Sequence, residues 1–565
     1  MTSNIFDQIE TAVLETEVLV IGAGPVGLAV AGDLGWRGRK SIVIDQGDGS
    51  IFQPKMDMVG VRTMEFCRRW GIVGDVEASP YNRDYPQDNV YLTALNGYEM
   101  GRQPMPSMRA DRPAPESPQK RERCPQNMFD PILRKFAESN PNTTLLFKHK
   151  FLSFKQDGDG VSAQVVDMTT QREFTLRARY LVGCDGGRSA VREQLGIAMN
   201  GKGVLTYTTN FIFKCAEFNQ LHDKQPGYRY MFVGPKGTWA TIVAINGSDN
   251  WRMSIIGNAA EKREYTEEEL KAFAIKALGR PFDMEVLSVL RWQRAELVAD
   301  RYVDGRVFIC GDACHLTSPT GGLGMNTGIG DAVDLSWKIA AALEGWGGPA
   351  LFDAYEIERR PVATRITRFS TSNLETMKQV PTNDLIYDDS EEGASIRVRA
   401  GHALGEGLKR EWFSTNMHLG NRYVGSPINV YNEPESDVQN AAEFEDAVNY
   451  VPSTRPGCRA PHAWLDDGRS RSTLDLFGRG FVLLNFGEPA QEAQDLVDAA
   501  RSKAIPIELV RIDQAHVREA YSKRFVLVRP DGHVAWRADA VPSDASQILD
   551  KISGNLRTIN ETISV

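Results

Sequence analysis

Gly22, Gly24 and Gly27 occupy the three fixed places of a G-x-G-x-x-G turn in the segment VLVIGAGPVGLAV. Gly22 turns the chain, Gly24 lets backbone approach a pyrophosphate, and Gly27 lets a helix pack closely on the preceding strand. Asp45 closes the apolar run SIVID 18 residues after Gly27, the separation at which an acid reaches ribose hydroxyls. Pro25 at the first helical position and Gln46 beyond the acid complete this set of cofactor contacts. The turn alone does not separate FAD from NAD. Two more acids stand at strand ends, in Asp185-Gly186 after YLVGC and in Gly311-Asp312 after RVFIC. One such Asp is more often a helix cap than a cofactor contact.

These turns need strands before them and helices after them. Val18 to Ile21 is a short β-branched run, a small-residue helix follows, and Ser41 to Ile44 is a second strand, which makes a βαβ opening and a parallel sheet. Between Asp75 and Arg123 the chain is polar and Pro-rich, a long excursion or loop. From Leu205 to Arg294 apolar and polar residues alternate, predicting antiparallel strands with one face exposed. A third strand-turn-helix covers RVFICGDACHLTSPTGGLGMN and its sequel, in which Leu335, Ile339 and Leu343 are core positions. Residues 380–451 are polar and read as irregular, and RGFVLLNFG, IPIELVRID and RFVLVRPDGHVAWRAD restore strands in a separate α/β unit.

At these three motifs, in this order and spacing, the first 375 or so residues resemble the class A flavoprotein aromatic hydroxylases, the group of phenol hydroxylase and 2-hydroxybiphenyl 3-monooxygenase. The resemblance implies an α/β fold. A Rossmann-type, glutathione-reductase-like FAD domain (1–80, 120–200, 295–375) would interleave with an antiparallel substrate-binding sheet (81–119, 201–294), followed by a linker (376–450). Residues 451–565 resemble a thioredoxin-like domain, but Cys458 is the only cysteine after Cys314, so dithiol exchange has no second sulfur.

The resemblance also implies FAD as cofactor, with NADPH or NADH and O2 as co-substrates. It places Asp312 on the ribityl and pyrophosphate region, Asp185 and Arg188 near FAD and the nicotinamide donor, and Gln126 on the flavin. Gly321, Gly322 and Gly324 allow close approach to the flavin ring, beside Pro319. Met325 and Asn326, at a helix start, would stabilise negative charge on its pyrimidine side. Lys55 replaces an arginine common in relatives, keeping charge but losing bidentate geometry. Asp334 stands where relatives usually carry Asn, a change expected to have little effect.

Electrophilic hydroxylation through a C4a-hydroperoxyflavin requires the ring to lose its phenolic proton. Asp57, five residues before Arg62, holds the position of the family's base, and its bland alternative is a surface or capping carboxylate. Arg229, Tyr230 and Arg252 lie in the strands expected to roof the site, where they would bind a phenolate or substrate carboxylate or simply belong to the sheet. The expected reaction is hydroxylation of a phenolic substrate ortho or para to its hydroxyl. A tailoring monooxygenase on a polycyclic or non-phenolic substrate, by epoxidation or Baeyer–Villiger insertion, and a flavin-bound redox sensor or scaffold are the alternatives.

Bulk properties narrow the classes. At 565 residues the chain exceeds one core, and a net charge of −9 without a basic stripe argues against nucleic acid. Met1 to Thr16 lacks the pattern of a signal or transit peptide, and no apolar run is long enough to span a bilayer. Seven cysteines without a CxxC pair read as reduced, and a cytoplasmic homodimer acting on a small aromatic molecule is expected. His315 has no ligand-spaced neighbours, so no metal is expected. No second strand-linked G-x-G-x-x-G exists, which excludes the disulfide-reductase flavoproteins.

Overall fold

A computed structural model describes residues 13–51, 54–260, 262–431, 446–488, 490–543 and 545–556. Most of the leader reading (residues 1–12) and part of the expected linker (432–445) lie outside the described residues.

The chain builds three main sheets. In the first, Leu14–Ile21 is central and parallel to both Ser41–Asp45 and Glu173–Gly183. Val18, Leu19 and Val20 are buried on both faces, as an apolar run between covering helices must be. Val307–Ile309 and Thr143–Phe147 extend this sheet on either side, also in parallel. Helices Pro25–Trp36, Gln126–Glu138 and Gly324–Glu344 pack with it. All three motif turns therefore emerge at the carboxyl ends of neighbouring parallel strands, the edge at which open α/β sheets bind ligands.

The second sheet has eight strands, among them the long antiparallel pair Met199–Lys214 and Glu285–Ala299. Asn89–Leu92 and Glu99–Gln103, from the Pro-rich excursion, join its far edge through Arg229–Gly234. One face packs on Glu267–Leu278, a helix opened by a Thr266/Glu269 capping box. Residues of the other face, among them Asn210, Thr241 and Arg252, line a cavity together with Pro319 and Gly322.

The expectation of an irregular 376–450 is corrected by helix Glu391–Trp412, whose Ser390 side chain accepts the Gly393 N–H. Its apolar residues are sparse, yet Ile396, Ala400, Leu404 and Leu408 recur every fourth position and bury one narrow stripe against Leu374 and Met377. A polar composition hid a correct helical period.

The third sheet runs 507–511, 481–485, 525–528, 534–538, with the first pair parallel and the rest antiparallel. This β-α-β plus hairpin with a closing helix, Ala545–Ile552, is the thioredoxin-like arrangement. It docks on helix Gly324–Glu344 through buried charge: Lys338 pairs with Asp334 and Glu358, and Arg529 pairs with Asp334, Glu358 and Asp531. Asp334 is fully buried in this cluster, where burial pushes its carboxyl up to about 8 and Lys338 and Arg529 both donate to it. Among the described residues no cysteine is in a disulfide, and no helix is long and apolar enough to cross a membrane.

Candidate active site

The cofactor cleft follows from two close backbone approaches and one open position. A Cβ on Gly22 (φ +101°) would fall 2.5 Å from the Cys184 carbonyl oxygen, and one on Gly27 only 1.9 Å from that of Gly22. These two glycines are demanded by the protein itself. A Cβ on Gly24 meets no heavy atom within 4 Å, so Gly24 faces open space at the N-terminus of the Pro25–Trp36 helix. A free cradle over unpaired helix N–H groups suits a pyrophosphate.

The acids around this cradle fit the rest of FAD. Asp45 accepts the Ala23 and Gly47 N–H groups, both at 2.7 Å, which fixes its carboxylate beside the turn with lone pairs left for ribose. Gln46 is exposed next to it, and Arg188 and Asp312 are exposed as well. Gly311 and Gly328 both close on Val26, which brings the Asp312 turn and the helix Gly324–Glu344 to the dinucleotide turn. Asp185 accepts the Val191 N–H at 3.1 Å, as a cap does, while its buried Oδ1 has no partner and burial pushes its carboxyl up. Gln126 accepts the Lys55 N–H at 3.0 Å and donates to Asp130 at 3.0 Å, so it fastens the 54–57 segment to its own helix.

Asn326 spends its whole side chain on protein. Its Oδ1 accepts from Gly60 N–H and Thr63 Oγ1, both at 2.7 Å, and its Nδ2 donates to Met58 O at 3.1 Å and Gly322 O at 2.7 Å. Only the backbone N–H groups of Met325, Asn326 and Gly324 at this helix start remain to face a ligand.

Between the Pro319–Gly322 loop and the second sheet lies a cavity of about 370 Å³, lined in part by Lys55, Asp57, Arg229, Arg252, Pro319 and Gly322. Five of the sequence-derived residues of this group thus meet there around the loop glycine. Asp57 is fully engaged: Arg123 donates to its Oδ1 at 2.9 Å, Arg252 to its Oδ2 at 3.3 Å, and the Tyr228 hydroxyl also donates to Oδ2. Burial works against ionisation, but Arg123 and Arg252 prevail and hold Asp57 below the usual carboxylate range, while burial pushes the Tyr228 phenol well up.

Tyr230 requires correction. Residues 229 and 230 of one strand point to opposite faces. Arg229 faces the cavity, pairing with Glu411 at 3.0 Å, whereas Tyr230 is fully buried in the opposite core, bonded to Gly227 N–H at 2.9 Å and packed with Phe218. The tyrosine of the site is Tyr228, which precedes the strand.

Family models bear on this geometry. The FAD binding domain model matches residues 15–370, and the aromatic-ring hydroxylase C-terminal model matches residues 453–555. The chain belongs to the class A flavoprotein hydroxylases. This hydroxylase is 30% identical over 574 residues to the FAD-dependent monooxygenase apdD of Emericella nidulans, covering 95% of this chain and 90% of the relative. It is 31% identical over 572 residues to the 2,4-dichlorophenol 6-monooxygenase of Delftia acidovorans, covering 94% and 96%. Among solved structures, chromopyrrolic acid-soaked RebC with bound 7-carboxy-K252c superposes with a TM-score of 0.89 at 35% identity, covering 96% of this chain and 100% of RebC. FAD is therefore the hydroxylase's cofactor, and NAD(P)H and O2 are the family's co-substrates.

Several residues of this hydroxylase's site were not found from sequence. Glu411 accepts from Arg229 and from Gly321 N–H, both at 3.0 Å, and so ties the Glu391–Trp412 helix to the Pro319–Gly322 loop. His418 lies against Gly60, where an added Cβ would come within 2.7 Å, and burial, reinforced by Arg121, pushes its imidazole down to about 4, leaving it neutral. Both fall in the stretch read as irregular. Trp292 and Arg294 had a usable signal, since they alternate with outward residues along one strand.

Proposed function

We propose that this hydroxylase inserts oxygen into a phenolic ring, ortho or para to the hydroxyl, on a substrate larger than a single ring, with NAD(P)H as electron donor. The observation that carries the reading is the Asp57–Tyr228 pair facing a cavity bounded by the Pro319–Gly322 loop. FAD, once reduced, supplies the activated oxygen. The protein's part is to make the ring electron-rich.

Both Asp57 oxygens are occupied, so the substrate hydroxyl is best received at Tyr228 Oη. Its proton moves to that oxygen as the Tyr228 proton moves to Asp57 Oδ2, and Arg252, whose Nε is buried without a partner, offsets the developing phenolate charge. Asp57 therefore acts through Tyr228 rather than as a free base. An aklavinone 12-hydroxylase of Streptomyces purpurascens, 30% identical, favours the polycyclic variant of the reading. The 7-carboxy-K252c held by RebC and the dichlorophenol named for the Delftia enzyme both agree with an aromatic occupant.

The test is an oxygen-uptake screen of one-ring and multi-ring phenols with NADH and NADPH, with product mass measured. A multi-ring phenol gaining one oxygen atom supports the reading. Oxygenation confined to substrates without a phenol would overturn it.

A further inference from the structure

The cavity carries more cations than its own acids neutralise: eight Lys and Arg side chains line it against three Asp and Glu. Arg252 is balanced by Asp57 and Arg229 by Glu411. Arg294 is different. It is 5% exposed, its Nε donates to Thr208 Oγ1 at 3.1 Å, and its Nη1 is buried with no hydrogen-bond partner. No carboxylate of the described residues forms an ion pair with it. Buried charges are ordinarily paired, because a desolvated guanidinium without a counter-ion is costly. Burial first, then the nearby Arg229 and Arg252, push Arg294 down to about 9, against the pull of Glu411.

Trp292 adds a second, independent donor. It lies two residues before Arg294 on the same strand face, also lines the cavity, and its buried Nε1 has no partner. Two unpartnered donors side by side call for a group that only accepts. The sheet register separates them from the Asp57 end: Arg252 pairs with Ile212, whereas Arg294 pairs with Thr206, six positions further along the same strand.

From this geometry we propose that Arg294 and Trp292 form a carboxylate subsite, so that the substrate is an aromatic acid whose carboxylate lies remote from the ring carbon hydroxylated near Asp57. The inference rests on the phenol-hydroxylase reading for the substrate's reacting end, but the subsite is measured by binding alone. Arg294 and Trp292 are specificity residues and take no part in proton transfer.

The test compares 6-hydroxy-2-naphthoate with 6-hydroxy-2-naphthamide, an isostere without the charge, by perturbation of the flavin spectrum of the FAD-loaded enzyme. The carboxylate is expected to bind about tenfold more tightly or better, the scale of one desolvated charged hydrogen bond. Arg294→Gln should reduce that preference to about twofold or less while the flavin spectrum stays unchanged and the melting temperature does not fall, and Arg294→Lys should fall between. Equal affinities in the native enzyme, no saturable binding of the carboxylate, or a preference that survives Arg294→Gln would each overturn the subsite. If Arg294→Gln fails to fold, the native acid-to-amide comparison decides alone. Product mass is read separately: a carboxylate preference without oxygen incorporation keeps the subsite and removes the hydroxylation reading.

Discussion

Arg529 of the C-terminal unit grips both carboxylate oxygens of Glu358, at 2.5 and 2.9 Å, with both side chains wholly excluded from solvent. Glu358 also accepts from Lys338 of the helix Gly324–Glu344. The unit without redox cysteines is therefore fastened to the cofactor domain by charge as well as by apolar packing. Arg529→Ala would strand Glu358 without its bidentate partner, at a cost of about 3–5 kcal/mol. Denaturant unfolding followed by tryptophan and flavin fluorescence checks this; a loss below about 1 kcal/mol would show the network to be dispensable.

Asp57 and Tyr228 should separate chemistry from cofactor binding. Asp57→Asn keeps the shape but not the charge that draws the Tyr228 proton, and Tyr228→Phe removes the relay oxygen. Each is expected to lower oxygenated product by roughly 10²-fold or more, with FAD content unchanged and NADH consumption diverted to hydrogen peroxide. Since Arg123 and Arg252 hold Asp57 below the usual carboxylate range, its ionised form persists through ordinary working pH. An acid limb in the activity profile near pH 6 would have to come from another group.

Asp130 gives a stability effect of opposite sign. Burial raises its carboxyl to about 7, while the Gln126 hydrogen bond and Lys55 pull the other way. The folded protein then holds a proton that the unfolded chain releases near pH 4, so stability falls as pH rises from about 4 through 7, by roughly 4 kcal/mol at most. Asp130→Asn should remove that slope. Unfolding free energies of both proteins at pH 4 and pH 8 test it, and parallel pH curves would exclude Asp130 as the source.

The two turn glycines should fail differently. Gly27→Ala drives a Cβ into the Gly22 carbonyl and should cost both FAD and fold stability. Gly24→Val, at an extended φ of −73° with open space beyond, should leave the apoprotein melting temperature unchanged and abolish FAD retention. Full FAD occupancy in Gly24→Val would remove the pyrophosphate from that cradle.

How far the sequence reached depended on whether a signal was local. The G-x-G-x-x-G turn and the Asp185 and Asp312 strand ends were legible because each is a backbone requirement carried by neighbouring residues. Tyr230 was misplaced because a one-residue error on a strand inverts the face, and nothing local marks where regular alternation begins. Helix Glu391–Trp412, and with it Glu411, was lost because its buried stripe is one residue in four within a polar stretch.

The sequence by itself determined the cofactor fold, since fixed glycine and acid spacings leave one way for strand, turn and helix to meet a dinucleotide. Tertiary structure alone decided which polar side chains are spent and which are free. Asp57 is consumed by Arg123, Arg252 and Tyr228, Asn326 by Met58, Gly60, Thr63 and Gly322, while Arg294 keeps an unused donor in the cavity. Pairing of this kind joins residues hundreds of positions apart, and its energy depends on burial that no local pattern encodes.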